Sequence, residues 1–105
     1  MDSREMYNAT SHLTQLVTWD KDWLQFGTEN EIKFDLLKKL IEDQLKDKEL
    51  LLIHGRTTSG QLRKEEVIGK IKPLLGIDDF QLWTVTMNKV IAFKKIGVLN
   101  VGQKN

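Results

Sequence analysis

The sequence predicts a single α+β domain, in which about four helices pack on a mixed sheet of three or four strands. Two patterns carry this prediction: apolar residues at helical spacing in the first half of the chain, and alternating short runs rich in β-branched and aromatic residues near its end. A chain of 105 residues is long enough to bury one core. We therefore expect one domain over residues 1–105, with its elements in the order α-α-α-β-α-β-β-β.

Three helices are expected before the first strand. The first runs from Met6 to Val17, and the second is a short helix whose single face would carry three aromatic residues, Trp19, Trp23 and Phe26. The third has the strongest pattern, with apolar residues at steps of three and four from Ile32 to about Lys46. A capping box over residues 28–31 would begin it, because Thr28 and Glu31 stand three residues apart.

The middle of the chain predicts a strand, a loop and a fourth helix. The apolar run Leu50–Ile53 lies inside a strand predicted over residues 49–54, and a polar loop follows over residues 55–60. Apolar residues at helical spacing predict the helix over residues 62–75. A strand followed by a loop and a helix favours a crossover to a parallel neighbour.

The last third of the chain alternates with the period of β-structure. Strands are predicted over residues 80–85 and 89–94, joined by a tight turn at residues 86–88. A short last strand would cover residues 98–101. This final hairpin is the sheet edge that we expect a second chain to use.

Composition narrows the function classes. The chain has no cysteine, which excludes disulfides, thiolate zinc sites and cysteine nucleophiles. No apolar run approaches the ~20 residues that span a bilayer, and the acidic, polar start lacks the features of a signal peptide. The two histidines, His12 and His54, belong to no set with metal-ligand spacing. We expect a cytoplasmic protein without membrane contact, metal or cofactor.

The charges are unevenly distributed along the chain. Residues 1–47 have a net charge of −4, and residues 48–105 a net charge of +5. Such asymmetry either marks a surface for an anionic partner or reflects attraction between the two halves of one fold.

The polar loop is a candidate site for a phosphate or another anion. It follows the carboxyl end of a strand and is rich in hydroxyl and amide donors. The alternative is a solvated connector made of turn-forming residues. The candidate anion ligands are His54, Arg56, Thr57, Thr58 and Ser59.

A basic surface is a second candidate, because lysines and arginines near aromatic residues on a sheet are typical of nucleic-acid binders. The alternative is that lysines near a sheet edge only prevent aggregation. Lys94 and Lys95 are also expected to point to opposite faces of their strand. The candidate residues are Arg63, Lys64, Lys89, Lys94 and Lys95.

Exposed aromatic side chains are the third candidate, since tryptophan is enriched where proteins bind one another. The alternative is that these rings fill the core. The candidates are Trp19, Trp23, Trp83 and Phe93. No catalytic constellation or nucleophile motif is present, so we expect a small non-catalytic binding or regulatory module that acts through protein–protein contact or self-association. Nucleic-acid binding and anion binding remain the alternatives.

Overall fold

Seven short strands form one antiparallel sheet in the computed structural model, which describes residues 2–28 and 31–104. The strands are β1 (Val17–Trp19), β2 (Leu24–Gln25), β3 (Glu49–Ile53), β4 (Gly60–Arg63), β5 (Phe80–Thr84), β6 (Lys89–Lys94) and β7 (Val98–Lys104). Their order across the sheet is β1-β7-β6-β5-β3-β4, and β2 also pairs with β7. β7 is therefore paired along both edges, with β6 on one side and with β1 and β2 on the other.

Three helices accompany this sheet in the part of the chain that is described: α1 (Ser3–Leu13), α2 (Phe34–Gln44) and α3 (Val67–Ile71). The carboxylate of Asp2 caps α1 by accepting the backbone N–H of Glu5 at 2.9 Å. The predicted capping box does not begin α2, whose N-cap is Lys33 without a side-chain hydrogen bond; two of its positions, 29 and 30, lie outside the described residues. None of the helices described is both long and apolar enough to cross a membrane.

The domain is α+β, as predicted, but the prediction is wrong in its strand count, its helix count and its sheet type. The sheet has seven strands, not three or four, and all its pairs are antiparallel. The predicted second helix is replaced by β1 and β2, which pair with opposite ends of β7. The helical spacing of Trp19, Trp23 and Phe26 was misleading because each of these strands is only two or three residues long, too short to show alternation.

The predicted crossover to a parallel strand is also wrong. After the polar loop the chain returns antiparallel to β3 as β4, with Leu62 opposite Leu50. Gln61 and Arg63 are exposed on either side of the half-buried Leu62, which is the two-residue period of an edge strand. The helix predicted over residues 62–75 shrinks to a 3-10 turn, Lys64–Glu66, followed by α3.

The larger core lies between the sheet and the two helices α2 and α3. Phe80 and Phe93 stack at its centre with their ring centroids 4.5 Å apart, and Phe26 meets Phe93 edge-on at 5.7 Å. These rings are buried among aliphatic side chains from both layers, chiefly Leu37, Ile41, Leu50, Val67, Ile71, Leu82, Ile91 and Leu99.

A smaller core lies on the opposite face of the sheet, under α1. Met6 of α1 packs there with Trp83 and Val90, and Trp83 is completely buried. Leu51 and Ile53 of β3 belong to the same cluster. α1 covers only part of this face, and the uncovered part carries the candidate site.

Candidate binding surface

The face of the sheet that carries α1 continues beyond the helix as a half-face, called here the open half-face, formed by Gln81, Ala92, Lys94, Val98 and Asn100. Within it Ala92 and Asn100 are buried by the side chains around them, at 5% and 4% exposure. Strand alternation places these residues, since Gln81 lies two residues before the buried Trp83 and Ala92 two residues after Val90. Gln81 pairs with Ala92 and Ala92 with Asn100, so that three neighbouring strands each contribute one side chain. Lys94 and Val98 form the next pair along the same face.

A groove runs along the open half-face between α1 and the segment that carries β1 and β2. Trp19 and Trp23 line one side of it, and the small side chain of Ala92 forms its floor. The part lined by Trp19, Trp23 and Ala92 has a volume of about 590 Å³, within the ~300–1,000 Å³ typical of ligand sites. The residues on the α1 side all carry hydroxyl groups at helical spacing: Tyr7, Ser11 and Thr14.

Polar side chains hold the floor of the groove in place. The indole N–H of Trp83 donates to Gln81 Oε1 at 2.8 Å. Asn100 Nδ2 donates to the carbonyl of Asp20 at 3.2 Å, and Asn100 Oδ1 accepts the N–H of Val101 at 2.9 Å. The side-chain oxygens of Gln81 and Asn100 and the amino group of Asn100 are therefore hydrogen-bonded within the fold. These bonds fix the floor of the groove, so a ligand would contact chiefly the side chains of its walls.

At one end the groove opens onto an apolar patch formed by Trp23, Ile96 and Val98. Trp23 is 48% exposed, and Ile96 in the β6–β7 turn is 74% exposed. With neighbouring residues they line a depression of about 540 Å³. A tryptophan and an aliphatic residue left side by side in water are typical of a contact surface, because single scattered apolar residues are the norm elsewhere.

The turn between β6 and β7 holds this patch together. Gly97 has φ +95°, and a Cβ there would lie 3.0 Å from the carbonyl oxygen of Gly27. The backbone N–H groups of Phe26 and Gly27 both donate to the Gly97 carbonyl, at 2.9 and 3.2 Å. Trp23 is thereby positioned beside Ile96, because the segment that follows it is hydrogen-bonded to the same turn.

Charged residues of both signs lie beside the apolar patch and along the neighbouring β1–β2 segment. On the β6 side, Asp79 Oδ1 accepts the backbone N–H of Lys95 at 2.8 Å, and Asp79 Oδ2 lies 3.8 Å from Lys94 Nζ. On the β1–β2 side, Asp20 lines the groove with Trp23, and the exposed residues Asp20, Lys21 and Asp22 line a separate depression with Leu24. Lys94 and Lys95 line the same depression, although we expected them to point to opposite faces, because β6 ends at Lys94 and Lys95 belongs to the turn.

The predicted anion loop uses most of its polar groups within the fold. Ser59 Oγ accepts the N–H of His54 at 3.1 Å and donates to the carbonyl of Gly55 at 2.7 Å. Ser3 Oγ accepts the N–H of Ser59 at 2.9 Å and donates to the carbonyl of Arg56 at 2.7 Å, which ties the loop to α1. Thr58 Oγ1 lies 3.1 Å from His54 Nδ1.

Three of the predicted anion ligands remain exposed, Arg56, Thr57 and Thr58. The other ring nitrogen of His54, Nε2, lies 3.1 Å from a carboxylate oxygen of Asp78. His54 also lines the narrow end of the groove with Lys94, so the structure brings together members of two separately predicted sites.

The predicted basic residues do not form one surface. Arg63 and Lys64 lie at the β4 edge, on the far side of the sheet from β7. Lys89 and Lys94 stand at opposite ends of β6. Lys64 Nζ lies 3.4 Å from Glu42, and the guanidinium of Arg63 lies 3.7 Å from Glu65. The five residues thus form two separate pairs and a single lysine: Arg63 with Lys64 at the β4 edge, Lys94 with Lys95 at the apolar patch, and Lys89 apart from both.

The four predicted partner-binding aromatic residues fall into two groups. Trp83 and Phe93 are buried in the two cores, where no partner reaches them. Trp19 is half-buried and Trp23 exposed, and both line the groove. The expected binding edge is also closed, since β1 and β2 cover the outer side of the final hairpin.

Sequence reasoning missed Ile96, Val98 and the hydroxyl row of α1. An isoleucine placed between two lysines and a glycine, in a segment that breaks the strand pattern, was the available signal for an exposed apolar residue. Among the described residues, no group of histidine and acidic side chains is arranged to hold a metal ion.

Comparison with protein-family models, curated proteins and solved structures finds no match to this chain. The open half-face, the groove and the apolar patch are therefore the features of this chain that point to a function.

Proposed function

We propose that this chain is a small non-catalytic binding module that acts in the cytoplasm through protein–protein contact, and that the groove and the apolar patch are its contact surface. The observation that carries the proposal is the exposure of Trp23 and Ile96, side by side at the open end of a groove. The absence of cysteine is consistent with a reducing compartment.

The chemistry of the surface supports contact with protein rather than catalysis. An apolar centre with a tryptophan, surrounded by charged residues, is the usual composition of a protein interface. Hydroxyl groups along the α1 wall would pair with the backbone amides of an extended segment in the groove. Ala92 provides the space for such a segment, because any larger side chain at that position would fill the floor.

Nucleic-acid binding is less well supported. A phosphate backbone requires several cations along one track. Here the predicted basic residues are dispersed, and three of the five lie within 4 Å of a carboxylate. The acidic residues Asp20, Asp22 and Asp79 at the apolar patch would also repel phosphates.

Selection of binders from a random peptide library on the immobilised protein tests the proposal. We expect selected peptides to shift the NMR signals of Trp23, Ile96 and Ala92, and to lose affinity at least about tenfold on Ile96→Ser. Val85→Ser is the matched control, since Val85 is 41% exposed in the turn at the other end of β6.

Two results would argue against the proposal. One is a selection that yields no binder sensitive to Ile96→Ser. The other is a set of binders whose shifts map to the β4 edge and the polar loop. Far-UV circular dichroism of each variant establishes that the fold is retained.

A further inference from the structure

The groove and the apolar patch carry charges of both signs, which would complement the charges of an identical surface turned to face them. We infer that the partner is a second copy of this chain. The inference rests on the proposed function, since it names the occupant of the same surface. It predicts a symmetric dimer in which the apolar patch of one copy packs against the apolar patch of the other.

The charges lie on two opposite sides of the apolar patch. Lys94 and Lys95 are on the β6 side, together with Asp79. Asp22, the chain neighbour of Trp23, is on the β1–β2 side, where Asp20, Lys21 and Asp22 line a depression of their own with Leu24. Asp20 also lines the groove with Trp23 and Lys94. These six residues, three cations and three anions, have a net charge of zero.

This arrangement favours a two-fold partner over a partner of one charge. Rotation by 180° about an axis through the apolar patch would place the lysine side of one copy opposite the Asp20 and Asp22 side of the other. A strongly acidic or strongly basic partner would face like charges along one side of the patch.

The charges that would pair across the dimer lack partners within one chain. No ion pair involves Lys95, Asp20 or Asp22 in residues 2–28 and 31–104. Asp79 already accepts a backbone N–H and lies near Lys94, so it leaves Lys95 as the cation available to the second copy.

The shape of the surface also favours contact between faces rather than between edges. β1 and β2 contain three and two residues and are separated by residues 20–23, so the outer edge of the sheet is too short and interrupted for strand addition. Ile96 protrudes next to a groove whose floor is Ala92, which offers a knob and an adjoining depression on each copy. In a two-fold interface each copy would insert its Ile96 into the depression of the other, and the assembly would stop at a dimer.

Sedimentation equilibrium from about 10 μM to about 1 mM tests the inference, because this range of concentration also populates a weak dimer. We expect the wild-type chain to shift from monomer to dimer as concentration rises. Ile96→Asp should raise the dissociation constant at least about tenfold, and Val85→Asp, the matched control, should leave it within about threefold of the wild type.

A charge-swap cycle tests the predicted pairing across the dimer. Lys95→Glu and Asp22→Lys should each weaken the dimer about threefold to tenfold, and the double variant should recover most of that loss. Recovery supports the two-fold arrangement. Additive weakening in the double variant contradicts it.

The result also separates this inference from the proposed function. A wild-type chain that stays monomeric at the highest concentration overturns self-association, and peptides that still bind in a manner sensitive to Ile96→Ser leave the proposed function intact. A dimer equally stable in Ile96→Asp overturns the inference, because it uses another surface. A wild-type chain that neither selects such peptides nor dimerises overturns both.

Discussion

The two halves of the sheet face that carries α1 are built from the same strands but differ in composition. Under the helix, β5 and β6 contribute Trp83 and Val90, both completely buried. Beyond the helix, the same two strands contribute Gln81, two residues before Trp83, and Ala92, two residues after Val90. Large apolar side chains thus give way to an amide and a methyl group where helix cover stops. The open half-face is therefore encoded in the strands themselves.

The half of this face that lies under α1, called here the closed half, should contribute most of the stability of the face. Trp83→Ala removes a completely buried ring and its hydrogen bond to Gln81, and we expect it to lower the free energy of unfolding by about 3–5 kcal/mol. Trp23→Ala, in the open half, should lower it by less than about 1 kcal/mol because that ring is half exposed. Urea unfolding followed by far-UV circular dichroism measures both. Equal losses would contradict the division into two halves.

Close packing should also distinguish the closed half. A Cβ at Gly102 would lie 2.9 Å from the ring of Trp19 and 3.0 Å from Val90 Cγ1. We expect Gly102→Ala to lower the free energy of unfolding by about 1–3 kcal/mol through overpacking.

Gly60→Ala is the control for this substitution. Gly60 also lies in a strand, its φ is not positive, and a Cβ there meets nothing within 4 Å. We expect this change to be neutral or slightly stabilising, by up to about 1 kcal/mol. If Gly102→Ala were equally harmless, Trp19 would have to shift freely, and the groove wall would be less fixed than the contacts indicate.

The smallest effect is expected in the open half. The ion pair between Lys94 and Asp79 spans 3.8 Å, and its side chains are 45% and 54% exposed. Solvent screens such a pair, so Lys94→Gln should change the free energy of unfolding by less than about 0.5 kcal/mol. Urea unfolding at low and at high salt measures it. A larger, salt-dependent loss would mean that the charges at the apolar patch stabilise the fold.

The sequence predicted the elements whose pattern is long enough to be seen. α2 is confirmed as a helix, β6 has its predicted bounds, and β3 and β5 differ from prediction by one residue. β1, β2 and β4 were missed because they are two to four residues long and exist through pairing with longer neighbours. Leu24 and Gln25, for instance, form a strand because β7 offers them Leu99 and Val98.

The candidate surface could be predicted only in fragments. Trp23, Lys94 and His54 were each singled out, but in three unrelated hypotheses. These residues lie along one groove because of the strand order and the point at which α1 ends, and tertiary packing determines both. Ala92 gives no signal in the sequence, since its role is to be smaller than the side chains around it.

Pairing of β7 along both edges also determines when the surface can form. β1 and β2 bind to β7 across about eighty residues of intervening chain, as Val17 pairs with Lys104 and Leu24 with Leu99. Closing so long a loop is entropically unfavourable, so we expect these pairs to form late in folding.

During synthesis, β7 is the last of the seven strands to leave the ribosome. Until it emerges, Trp23 has no strand to hold it beside Ile96, and the groove lacks one wall. A nascent chain whose β7 is still inside the ribosome consequently cannot present the complete contact surface. Assembly through this surface would be restricted to molecules whose sheet is already complete.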